Sequence, residues 1–281
     1  MDFLKIKYKD KEYLIEEIIQ ESNDFLKELV LPVKFRIDSS FTDFGLINDK
    51  GYAIACEKYR DLYSVLSNAS FALFNAHMKL HNDHSLWKSG YTGTLWLRSQ
   101  YLQNSILWYN SCEEYVLQII WFAFDFFKDL KKYSQEMSNC GYKKILKELA
   151  NYKDLENTSI IIKELHSFHE NENVAFVRKL ANLMKHKQLI NFNGLGSNRL
   201  MTFNSNDFSS SLIEKECVDI DEVIVIIKNV HILAVEFGSF LFDFINFKEM
   251  FVYNEKGNII LGEKREKKEY KKLIINEKYA T

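Results

Sequence analysis

Apolar residues recur every three to four positions over long stretches of this chain, which is the period of a helix. Over 11–30, Leu14, Ile18 and Phe25 mark one side of a first amphipathic helix, and Pro32 ends it. The pattern lapses over 33–51, where short extended pieces and the turn residues NDKG (48–51) stand. It resumes from about 52 to 81 through Ala55, Tyr59, Leu62, Val65, Leu66 and Phe74, until HNDHS, Gly90 and Gly93 interrupt it. A long helix is predicted over roughly 95–132, apolar almost all round and therefore central. Shorter helices are predicted over 141–152, 157–169 and 172–188. Residues 191–210, rich in Asn, Ser and Gly, read as a loop. Asp219 with Glu222 three residues on gives a capping-box-like start to a helix running to about 247. MFVYNEKGNIIL (250–261) reads as a hairpin around NEKG, and the charged tail at 262–273 as a solvated end.

The fold class that follows is mainly α. It is a helical bundle with long antiparallel helices and minor β decoration near 33–51 and 250–261. The expected organisation is a helical and extended region over 1–90 packed on the core, a helical bundle over 91–249, and a C-terminal hairpin with charged tail over 250–281. Composition agrees, because a single proline and ten glycines favour long uninterrupted helices. A net charge of −2 gives no global pull toward polyanions, so any such binding must come from a local patch. Cys56, Cys112, Cys140 and Cys217 are far apart and form no C-x-x-C pair, which points to reduced thiols and a cytoplasmic location. The apolar stretches 102–127 and 219–247 each carry charges, so core helices are expected there and no membrane span.

Candidate chemistry concentrates in RKLANLMKHK, residues 178–187. At about 100° per residue, Arg178, Asn182, Lys185 and His186 share one arc of the helical wheel, and Val174, Val177, Leu180, Ala181, Leu183 and Met184 take the rest. Such a face is either a solvated surface, an anion site or a catalytic one. On the long helix, Gln103, Asn110, Glu114, Gln118 and Asp125 form a narrow polar strip. That strip is either the helix's solvent edge or a partner for the cationic face, with Glu114 bonding Arg178 or His186. His77, His81 and His84 have spacing that a metal can use, but no HExxH accompanies them. A polar helix C-terminus is the preferred reading there, with no metal and no cofactor expected. His166 and His169 lie three apart, and no phosphate-cradling glycine loop or GxSxG occurs.

The long helix LRSQYLQNSILWYNSCEEYVLQIIWFAF, followed by a later helix carrying N-x-x-K-H, resembles the HEPN superfamily over roughly 95–190. Those proteins are α-helical bundles, many of them metal-independent endoribonucleases of toxin–antitoxin, CRISPR and phage-defence systems. The resemblance places Asn182 and His186 on the family's Asn and His. The family's Arg falls at Ala181, while Arg178 lies one turn earlier on the same side as Lys185. It implies His186 as general base or acid, Arg178 and Lys185 on the scissile phosphate, Asn182 orienting and Glu114 supporting. It further implies RNA as substrate, a homodimer, and a partner from an antitoxin or defence system. The alternative within the same resemblance is a degenerate module that binds RNA, nucleotide or protein without cleavage.

Overall fold

The computed structural model describes residues 5–33, 50–80, 90–151, 158–187, 189–195, 217–245, 252–253 and 259–260. It is mainly helical, with minor β structure. The elements run β1 (Lys5–Tyr8), β2 (Lys11–Leu14), α1 (Ile15–Glu28), α2 (Lys50–His77), α3 (Gly90–Ala123), α4 (Tyr133–Ser138), α5 (Tyr142–Ala150), α6 (Thr158–His169) and α7 (Glu172–His186). They continue with β3 (Asn191–Phe192), β4 (Cys217–Val218), α8 (Ile220–Ile245), β5 (Val252–Tyr253) and β6 (Ile259–Ile260). The chain divides into two compact units, and α2, α3, α7 and α8 contribute residues to both.

The first unit comprises Met1–Val30, Ala69–Leu107 and Phe176–Asn229. Its N-terminus is an antiparallel hairpin, Lys5 opposite Leu14 and Tyr8 opposite Lys11, where the sequence pattern predicts the first helix from residue 11. Helix α1 therefore begins only at Ile15, where the Glu17 carboxylate accepts the Leu14 backbone N–H at 2.9 Å. Ile18, Ser22, Phe25 and Leu29 form its buried stripe. The unit's core adds Ala72, Leu73 and Ala76 of α2, Leu95 and Leu102 of α3, Leu180 and Ala181 of α7, and Val223 and Ile227 of α8. Asp219 starts α8 as its sequence suggests, with Oδ1 accepting the backbone N–H of Asp221 at 2.9 Å. A two-residue parallel ladder pairs β3, at the start of the segment read as a loop, with β4 beyond its end.

The second unit comprises Leu31–Asn68, Trp108–Ala175 and Val230–Thr281. Three buried hydroxyls bind α8 from within it. Tyr52 donates to the Ile245 carbonyl, Tyr59 donates to the Gly238 carbonyl at 3.0 Å, and Tyr109 bonds the His231 imidazole at 2.8 Å. Helix α3 stops at Ala123 rather than continuing toward 132, for a local reason. Asp125 takes a left-handed conformation (φ 56°), its N–H returns to the Phe122 carbonyl, and the Phe126 N–H reaches the Trp121 carbonyl at 3.0 Å. The Trp121 and Phe126 rings meet edge to face across this turn. This is a Schellman ending with aspartate in the place usually taken by glycine. The hairpin expected over 250–261 is present as β5 paired antiparallel with β6. Helix α8 has the length and composition to cross a membrane, and 44% of its most apolar window is buried inside the fold.

Candidate functional site

Helix α7 builds the face that its periodicity predicts. Asn171 caps it, its side chain accepting the Asn173 N–H at 2.9 Å. Val174, Val177, Leu180 and Ala181 are buried. Asn182, Lys185 and His186 are exposed and Arg178 is half-buried, so these four polar side chains share the side away from the core. His186 is the last helical residue, and with Lys185 it lies where the C-terminal end of the helix dipole favours positive charge. Ala181 is 0% exposed, so the position at which the HEPN pattern carries arginine points into packed side chains. The guanidinium on this face is that of Arg178. The arrangement presents N–H donors and an imidazole of a kind that can bind an anionic group.

The long helix splits the adjacent carboxylates. Glu114 is exposed, whereas Glu113 is buried and pairs with the His169 Nδ1 of α6 in the second unit. Tyr142 stacks on the His169 ring at 3.5 Å, and its hydroxyl bonds His166 Nδ1 at 2.8 Å. The two α6 histidines thus have local partners. The expected polar strip is not uniform either, since Asn110 is buried while Glu114 is exposed. Of the triplet His77, His81 and His84, only His77 lies among the described residues. Its ring stacks on Phe25 at 3.9 Å with Nε2 3.6 Å from Glu21. Among the described residues no group of three or more His, Cys, Asp or Glu is placed to hold a metal.

The first unit holds a second constellation that periodicity does not reveal. Arg98 of α3 is 0% exposed. Its Nε donates to the Ala76 carbonyl at 2.6 Å, Nη1 to the Tyr8 hydroxyl, and Nη2 to Asp221 Oδ1 at 2.7 Å. Lys9, at the tip of the β1–β2 hairpin with φ 54°, reaches Asp221 at 2.6 Å and Asp219 at 3.0 Å. Four segments of chain thus converge on one ionic network around the buried Arg98, beside a cavity of about 560 Å³. Burial alone raises the Asp221 carboxyl, but the Arg98 charge and the Lys9 hydrogen bond override it and hold the group below the usual carboxylate range. Burial pushes the His77 imidazole, on the cavity wall, down to about 4, so it is neutral at pH 7. The one sequence signal for this site is Arg98 itself, the sole cation in a 34-residue helix whose only other charges are Glu113 and Glu114. A lone arginine on an apolar helix calls for a buried counter-ion.

Comparison of the chain with family models, with curated proteins and with solved structures gives no match.

Proposed function

We propose that this protein acts on RNA through the exposed face of α7, as a HEPN-like metal-independent endoribonuclease of stress response or phage defence. The observation that carries the reading is the joint exposure of Asn182, Lys185 and His186 over the last two turns of one helix, with Arg178 a turn earlier. Cleavage proceeds by attack of the ribose 2′-oxygen on the neighbouring phosphorus, with departure of the 5′-oxygen. His186 takes the 2′-OH proton or returns one to the leaving oxygen. Arg178 and Lys185 hold the charge that develops on phosphorus, and Asn182 orients the phosphate. A single imidazole serves one of the two proton transfers. A homodimer that pairs two α7 faces supplies the other, in the cytoplasm and under control of an antitoxin or defence partner. Glu114 has a supporting role.

RNA binding without cleavage is the second reading, and the buried Ala181 favours it. The position that would carry the HEPN arginine has no room for one, so the phosphate-holding group is displaced by a turn. Incubating the purified protein with RNA in EDTA, beside His186→Ala, separates the two. Cleavage that survives the chelator and disappears in the variant supports the nuclease. Intact RNA bound by both forms, with affinity lost in Arg178→Ala and Lys185→Ala, supports the binding module. Equal cleavage by wild type and variant would remove α7 from the chemistry.

A further inference from the structure

The cavity beside Arg98 is independent of the α7 reading, and its wall has a definite hydrogen-bonding character. Its volume of about 560 Å³ lies inside the range of small-molecule sites, roughly 300–1,000 Å³. Five cations line it, Lys9, Lys11, Lys79, Arg98 and Lys228, against the three carboxylates Asp10, Glu21 and Asp221. Two of those carboxylates are already occupied. Asp221 accepts from Arg98 and Lys9, and both oxygens of Glu21 accept from Lys79. The ring faces are occupied as well. Phe25 lies against His77, the Lys79 ammonium sits 4.8 Å from the Tyr13 centroid, and the Arg98 guanidinium sits 4.9 Å from that of Tyr8. A flat ligand therefore finds little to stack on.

What remains open is donor capacity. An ammonium group has three N–H donors. Lys228 shares one contact with Glu28 at 2.8 Å, and Lys11 pairs with no carboxylate among the described residues. Buried His77 Nδ1 has no hydrogen-bond partner among the described residues. Surplus ammonium donors, set around a space larger than a bare ion, suit an oxyanion carried on a small polar body. The donors come from β2, the end of α2, and α8, so they approach from several directions, as a tetrahedral phosphate requires and a planar carboxylate does not.

We propose that this cavity binds a small phosphate monoester, its phosphate held by Lys79, Lys228 and Lys11 above the buried Arg98. Calorimetric titration of the full-length protein with ribose 5-phosphate tests it, beside inorganic phosphate, ribose and succinate. The variants are Lys228→Gln and Lys79→Gln, with Lys147→Gln, an exposed α5 lysine, as control for surface charge. Ribose 5-phosphate is expected to bind more tightly than the other three. Either cavity variant should weaken it about tenfold, the effect of losing one charged hydrogen bond, and Lys147→Gln should leave it unchanged. Each variant is first checked by thermal melting, and Lys228→Gln, altering a part-exposed side chain, carries the test if Lys79→Gln fails to fold. Absence of binding, or binding undiminished in a folded cavity variant, overturns the site. Inorganic phosphate binding as tightly as the ester overturns the ester, and ribose or succinate binding as tightly overturns the phosphate.

Discussion

Arg98 Nη2 donates to Asp221 Oδ1 across 2.7 Å, and the side chain at one end of that bond is 1% exposed while the one at the other is 38% exposed. Removing the acid leaves an uncompensated buried cation. Asp221→Asn is therefore expected to lower unfolding stability at pH 7 by about 2–4 kcal/mol, and Arg98→Met by a similar amount. The double variant should lose less than the sum, since each single change already breaks the same pair. Urea titrations of the three forms give the comparison, and strict additivity would show that the two residues are not coupled. Because the Asp221 carboxyl is held below its ordinary value, its contribution is present above about pH 4 and declines as pH falls below that.

Two buried imidazoles predict a different acid dependence. Burial lowers His77 and His231 to about 4 from an ordinary 6.5, so the fold keeps both neutral. An unfolded chain takes up these protons near pH 6.5 and the folded one does not, so stability is complete at pH 7 and falls between 6.5 and 4. The loss reaches roughly 3 kcal/mol per histidine. His231→Gln keeps an acceptor for the Tyr109 hydroxyl and should flatten the slope of melting temperature against pH by one proton's worth. A slope identical to wild type would mean that His231 titrates normally in the fold.

Gly51 is required where α2 meets the end of α3. A Cβ there would lie 2.5 Å from the Phe127 ring, 2.6 Å from the Asp125 carboxylate and 2.8 Å from the Phe122 carbonyl. The last of these is backbone belonging to the Schellman turn, so relief requires moving the turn itself. Gly51→Ala should destabilise by about 1–3 kcal/mol despite alanine's better helix propensity. A stabilised variant in thermal melts would show that the turn yields freely.

Adjacent glutamates on α3 should respond oppositely. Glu113 is buried against His169, so Glu113→Ala is expected to cost about 1–3 kcal/mol. Exposed Glu114→Ala should stay within about 0.5 kcal/mol. Equal losses at the two positions would put both on the same footing in the fold.

That pair also shows how far sequence periodicity reaches. It locates helices well, and the starts of α6, α7 and α8 fall within a residue or two of the predicted ones. The wheel of α3 groups Glu114 with Asn110, yet which carboxylate is buried depends on α6, a helix distant in sequence. The β1–β2 hairpin escapes because its turn is Lys9–Asp10, with neither Asn-Gly nor Gly to announce it, although Lys9 adopts the left-handed conformation glycine prefers. The end of α3 escapes for the same reason at Asp125. Of the sites, the α7 face is legible because one helix carries it whole. The Arg98 network is not, because Tyr8, Ala76, Arg98 and Asp221 become neighbours only through tertiary folding.

Tyr8 and its acceptor Asp221 are separated by 213 residues, and that distance is also a delay. A ribosome adding about 5–20 residues per second leaves the N-terminal hairpin without its counter-ion for roughly 10–40 s. Over the last 123 residues of that stretch, roughly 6–25 s at the same rate, Arg98 has been made and Asp221 has not, so a cation destined for the interior stays hydrated and the first unit cannot close around it. Completion of this unit is thus timed by synthesis of α8. A chain truncated before Asp221 should emerge soluble only in the keeping of a chaperone.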